Sequence, residues 1–116
     1  MVGNNGNLGV YVMQVASMLT GLHPQTLRKY ERAGFLMPSR RFTVRLYSDE
    51  DIARLKMIKY LVEGLGLNLA GVELVLKLRD RLLELKEEIA SAEVDDGLEV
   101  RLLSLLDDML DMIGSY

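Results

Sequence analysis

Between Tyr11 and Gly34 the chain is cut into two helical pieces, each too short to be stable alone, and this limits the folds open to it more than any other feature. From Tyr11 a helical pattern places Val12, Val15, Ala16 and Leu19 on one face, and Gly21 stops it. His23 then stands where a helix cap falls, Pro24 at the first helical position and Gln25-Thr26 in the first turn. The second helix runs to about Ala33, with Gly34 as its stop. Two short helices about a tight glycine-containing turn make a helix-turn-helix.

The faces of the second helix differ in chemistry. Leu27, Tyr30 and Ala33 recur at inward spacing, while Gln25, Arg28, Lys29 and Arg32 share the opposite side. A basic outer face in a helix-turn-helix is suited to the major groove of DNA, which such a helix meets with its exposed N-terminal residues. Phe35 to Pro38 is expected to be extended, because the residue before proline avoids the α region. Ser39 to Tyr47 reads as a small β-hairpin with Arg40, Arg41 and Arg45 near its tip, where a guanidinium fork pairs two phosphate oxygens at once. Its turn lacks the Asn-Gly or Gly-Gly pair that two-residue hairpin loops favour.

Further capping signals follow. Ser48 and Asp51 form an S-x-x-D capping box, and Asp49 and Glu50 add charge suited to a helix N-terminus. The third helix turns Ile52, Leu55, Ile58, Leu61 and Val62 inward and ends near Gly64. Asn68 caps a fourth helix, with Leu67 and Val72 spaced as a hydrophobic staple. Beyond it, Leu78, Leu82, Leu85 and Ile89 step by four, three and four residues, which is coiled-coil spacing. Asp96 breaks that seam and Gly97 ends the helix. The seam is too short to stand alone and long enough to pack on a second copy. A last amphipathic segment puts Leu98, Leu102, Leu105, Leu106, Met109 and Ile113 on one side. That tail either covers the dimer helices of its own molecule or docks another protein.

Composition narrows the function. The formal charge of −3 hides a split: residues 1–62 hold nine Lys/Arg against four Asp/Glu, and residues 63–116 hold five against thirteen. A basic half for DNA and an acidic half that avoids it account for both. With no Cys and one His, a thiolate nucleophile, a disulfide and a zinc or iron–sulfur site are not expected, and no metal or other cofactor is assigned. Catalytic residues are not assigned either, since no nucleophile–base set and no phosphate loop after a strand is present. No run of about 18 apolar residues suggests a membrane span, and no basic N-terminal region suggests a signal peptide, so a cytoplasmic protein is expected.

Tyr11 through about Leu76 resembles the MerR family of winged helix-turn-helix transcription regulators. The likeness is carried by Tyr11–Ala16, by Thr26–Gly34, and by Arg45–Ser48 with Asp51–Leu55. Within that family, His23–Arg28 and Asn68–Gly71 look most like the heat-shock repressor (HspR) subgroup, and the second piece also occurs in glutamine-synthetase repressors. The resemblance implies a homodimer on a pseudo-palindromic operator, joined by antiparallel pairing of the long helix. It also implies that Arg28 and Tyr30 touch DNA and that Arg45 and Tyr47 contact or buttress the backbone. Lys29 stands where many members have tyrosine, and the wing is shorter than is usual. A DnaK-type chaperone is an implied partner, with the apolar tail Leu98–Ile113 as its candidate contact. The cysteines of metal and redox sensors are missing, and with 23 residues after Glu93 a ligand domain is not expected.

The expected fold is mainly α: a leader over residues 1–9, a winged helix-turn-helix over 10–76, a dimerisation helix over 77–94 and an amphipathic tail over 95–116. The expected function is a sequence-specific DNA-binding transcription regulator, acting as a repressor. Gln25, Thr26, Arg28, Lys29, Tyr30 and Arg32 would serve the major groove, with Arg40, Arg41, Arg45 and Tyr47 on the wing. The alternatives are an adaptor that has kept the fold and lost DNA binding, or an accessory DNA-binding protein of recombination.

Overall fold

The computed structural model describes residues 8–114. Of the expected leader, residues 1–7 lie outside that range. The described chain runs β1 (Tyr11–Val12), α1 (Met13–Thr20), α2 (Pro24–Arg32), β2 (Ser39–Arg41), β3 (Val44–Tyr47), α3 (Asp49–Lys59), a π-helical turn (Tyr60–Gly64), α4 (Leu69–Ser91) and α5 (Asp96–Met112). This is the expected mainly helical, winged helix-turn-helix architecture with helices after it. No described helix is long and apolar enough to cross a membrane.

The local signals for helix ends were legible because each involves neighbours in sequence. His23 caps α2 by accepting a hydrogen bond from the Gln25 amide at its Nδ1 (3.1 Å). The Ser48–Asp51 box closes in both directions, each bond at 2.9 Å. Asn68 caps α4 by accepting from the Gly71 amide at 2.8 Å, with Val72 fully buried behind it. Gly21 ends α1 at φ 71°, a left-handed conformation that glycine adopts without steric cost. A Cβ there would also lie 2.7 Å from Lys59 Nζ, which donates to the Thr20 carbonyl and so ties the turn to α3.

Long-range packing changed several expectations. Tyr11 and Val12 form a strand and not the start of a helix, because β3 lies beside them in antiparallel register, Tyr11 opposite Tyr47 and Val12 opposite Leu46. The sheet order is β1-β3-β2, so the hairpin gains a third strand. Gly9, expected in a flexible leader, is packed against that sheet: an added Cβ would sit 2.7 Å from the Leu46 carbonyl oxygen. The face of α1 is also rotated. Ala16 and Thr20 are buried, whereas Val12, Val15 and Leu19 are exposed. Small side chains on the inner face let α1 approach closely, and Thr20 Oγ1 satisfies itself on the Ala16 carbonyl at 2.8 Å.

One core joins these elements. It comprises Ala16, Leu27, Tyr30, Tyr47, Ile52, Leu55, Met57, Ile58, Leu61, Val72 and Leu76 among others, so α3 presents the inward face expected of it, with Met57 added. Ala33, expected inward, is exposed because α2 ends at Arg32. The π-helical turn carries the chain out of α3 toward α4 and keeps Leu61 buried.

Beyond the core, α4 continues without interruption for 23 residues, about 35 Å, so the boundary expected at 76/77 falls inside one helix. Gly97 does not end it. The helix stops at Ser91, Asp95 caps α5 by accepting from the Leu98 amide at 3.1 Å, and Gly97 lies in the first turn of α5. Helix α5 folds back on α4, held by Leu106 and Leu110, both buried, and by Lys86 donating to Asp107 at 2.8 Å. The tail face is therefore divided: Leu102, Leu106 and Ile113 turn inward, and Leu98, Leu105 and Met109 stay exposed.

Candidate nucleic-acid interface

Helix α2 is fixed from beneath by Leu27 and Tyr30, which are 0% and 4% exposed. Burial of side chains this size stabilises by roughly 1.5–3 kcal/mol each, enough to seat a nine-residue helix that would not form alone. Tyr30 also packs on Phe35, ring centroids 5.9 Å apart and tilted by 35°. Its outer side presents Gln25, Arg28, Lys29 and Arg32 to solvent, with Thr26 half-buried. This is the face expected from the residue spacing.

The wing supplies the second surface. In the β2–β3 hairpin Arg40 lies opposite Arg45, and Arg41 opposite Val44. Arg40 and Arg41 are exposed and Arg45 half-buried. Between wing and α2 runs a groove of about 400 Å³ whose walls carry Arg28, Arg32, Arg40 and Arg45, with Glu31 the one acidic side chain among them. Four guanidinium groups about one groove create a strongly positive potential and supply fork-shaped donors that match phosphate oxygens.

Glu31 holds this geometry together. Its carboxylate accepts from Arg45 Nε at 2.9 Å and from the Tyr47 hydroxyl at 2.5 Å. The carboxylate side chain is only 12% exposed, so both bonds are shielded from water. Helix α2 and the wing are thereby linked by two charge-assisted hydrogen bonds across a sequence separation of 14 and 16 residues. Burial raises the Tyr47 phenol above its ordinary range, the Glu31 carboxylate adds to the rise, and Arg45 and Arg28 oppose it. In sequence Glu31 reads only as an interruption of positive charge. Its being the single acid between Leu22 and Tyr47 was the signal that it has a partner.

Two residues that the family resemblance associates with DNA prove to be internal, Tyr30 in keeping with its inward spacing and Tyr47 in keeping with a buttress. Tyr30 and Tyr47 are 4% and 0% exposed, so they shape the interface from below and do not reach out of it. A phenol offers a large apolar body, and both positions sit on elements whose opposite faces are solvated; the core takes the ring. Tyr11 makes a related link, donating to Asp49 Oδ1 at 2.6 Å and so fastening β1 to the start of α3.

The expected coiled-coil residues divide into two pairs. Leu78 and Leu85 are 49% and 46% exposed, and Leu74, on the same side of α4, is 68% exposed. Leu82 and Ile89 are half-buried. Among the described residues no group of three or more His, Cys, Asp or Glu is arranged to hold a metal ion.

Comparison with known proteins agrees with this arrangement. A family model described as MerR HTH family regulatory protein matches residues 11–78, from β1 into the first turns of α4. The chain is also 43% identical over 82 residues to a protein of Streptomyces coelicolor named as a putative heat shock protein HspR. The match covers 70% of this chain and 54% of that relative, so the chain corresponds to about half of the relative's length. The matched segment contains the two short helices, the wing and the Glu31 link, and on this evidence the chain belongs to the MerR family of helix-turn-helix regulatory proteins.

Proposed function

We propose that the protein is a sequence-specific DNA-binding transcription regulator that acts as a homodimer on a pseudo-palindromic operator, as a repressor of the heat-shock type. The observation that carries this reading is the groove between α2 and the wing, with Arg28, Arg32, Arg40 and Arg45 around it. Helix α2 would lie in the major groove with Gln25, Thr26, Arg28 and Lys29 at the base edges, and Arg40, Arg41 and Arg45 would meet flanking phosphates.

Dimerisation is supported by the exposed leucines of α4. Leu74, Leu78 and Leu85 form an exposed apolar stripe on a helix that also packs against α5. A second copy packed antiparallel on that stripe would set the distance between two recognition helices. The acidic half would face away from the phosphates, which repel it. Leu98, Leu105 and Met109 remain exposed on α5, and a DnaK-type chaperone, the partner implied by the family resemblance, would meet them there.

The test is a mobility-shift assay on duplexes selected from a random pool. Arg28→Ala is expected to weaken binding by roughly 1–3 kcal/mol and to relax preference at one position of each half-site. Arg41→Ala is expected to weaken binding to all sequences alike and to flatten the salt dependence. With about four phosphates neutralised per subunit, the parent dimer should show a log–log salt slope of about −7. Parent-like binding by both variants would contradict the assignment of this interface. A parent that is not retained on duplex DNA at low salt would favour an adaptor role instead.

A further inference from the structure

The tip of the wing carries a feature that phosphate contact does not use. Phe42 occupies the first position of the two-residue loop between β2 and β3, with its backbone at φ 60°. A bulky residue rarely adopts this region, which glycine and asparagine enter with little penalty. Its ring is 94% exposed, so it contributes nothing to the core and nothing to the packing of the hairpin. The free protein therefore carries both a strained backbone and an aromatic ring held in water. Such outliers persist only where the surrounding structure fixes them, and they cluster at binding sites.

The surroundings indicate that partner. Arg41 precedes Phe42 and the Arg40–Arg45 pair stands one register position behind it, and Glu31, the acid of the adjoining groove, is occupied by Arg45 and Tyr47. The finger is thus cationic along its sides and apolar at its end. Phosphates satisfy the sides and have no affinity for the end. What lies between two rows of phosphates is the sugar edge and the base stack, which an apolar side chain can enter. A two-residue loop is the narrowest end a hairpin can have and suits a groove about 6 Å wide. The Glu31 link holds the wing beside α2, so with α2 in a major groove the wing falls on the neighbouring minor groove.

We infer that Phe42 is an apolar wedge that enters the minor groove of duplex DNA beside the recognition helix and partly unstacks one base step there. This rests on the reading of the α2–wing groove as a DNA interface. Pyrimidine–purine steps unstack most easily, so the wedge would give sequence preference at flanking positions that no base-reading side chain reaches.

The experiment uses the full-length protein and duplexes it selects from a random pool, with binding followed by fluorescence anisotropy across a salt series. Phe42→Gly removes the ring and relieves the positive φ, so folding is preserved or improved. It is expected to bind roughly tenfold more weakly than the parent with an unchanged salt slope, and to lose preference at the flanking step. Phe42→Leu, which keeps an apolar wedge, is expected to recover most of the affinity. A 2-aminopurine placed at that step should brighten on binding the parent and stay dim with Phe42→Gly. Parent-like affinity and brightening with Phe42→Gly would overturn the wedge, and Arg28→Ala, weakened in the same assay, would show that the DNA interface itself stands. If neither variant differs from the parent, both readings fall.

Discussion

Removing the Glu31 carboxylate tests how much of the interface depends on the link between α2 and the wing. Glu31→Ala deletes the acceptor for two hydrogen bonds at once. The Tyr47 hydroxyl belongs to a residue with no exposure, and leaving such a donor unpaired costs about 1–3 kcal/mol. The Arg45 guanidinium is 29% exposed and regains water, so its share is smaller, about 0.5–1 kcal/mol. Together these give a loss of about 1.5–4 kcal/mol. Glu31→Gln keeps an acceptor oxygen for Tyr47 and gives up the charge, so it should lose only about 1 kcal/mol. The assay is urea denaturation followed by circular dichroism, at one fixed protein concentration because a dimer's apparent stability depends on it. DNA binding adds a second readout. In both variants the groove loses its one acid, so non-specific affinity at low salt should rise. In Glu31→Ala preference for the selected duplex should fall as well, because wing and helix are no longer held in register. A Glu31→Ala protein within about 0.5 kcal/mol of the parent, with unchanged preference, would refute the role given to the link.

Two further expectations follow from the same geometry. Leu85→Glu changes a side chain that is 46% exposed, so the protomer should fold, while light scattering should report monomers and operator affinity should drop; a stable dimer with full affinity would place the interface elsewhere. Tyr47→Phe should alter the alkaline limb of the stability curve. Because the folded state raises the Tyr47 pKa above the ordinary phenol value of 10.0, the bonded phenol stabilises the fold fully below about pH 10, and that contribution is lost as pH rises through the folded value. The parent should therefore lose stability above about pH 10 more steeply than Tyr47→Phe. Parallel pH profiles would exclude a bonded phenol at this site.

Much of the interface was legible because it is built from short-range signals. A cap at His23, a proline at Pro24 and the spacing of Arg28, Lys29 and Arg32 all act within one or two helical turns, and the structure keeps them as read. The same holds for Ser48 with Asp51 and for Asn68. What was not legible depends on partners far along the chain. Two residues at Tyr11–Val12 carry no strand signal of their own and are a strand only because β3 is adjacent. The inner face of α1 is set by small residues, Ala16 and Thr20; apolarity found Ala16 but grouped it with Val12, Val15 and Leu19 and missed Thr20. Gly97 reads as a helix stop, yet Asp95 before it supplies a cap and the residue lies inside α5. Glu31 and Phe42 are the residues the spacing undervalued, one because its partners are non-local and one because its significance is a backbone angle.

The central claim is that the basic groove between α2 and the wing recognises a specific duplex as a two-fold dimer. Selection of bound DNA from a random pool with the full-length protein measures this most directly. Two inverted half-sites at a fixed spacing are expected, with information at the positions facing Arg28 and a weaker preference at the flanking steps. A pool that stays random after repeated rounds, or one that converges on a single half-site without symmetry, would contradict it.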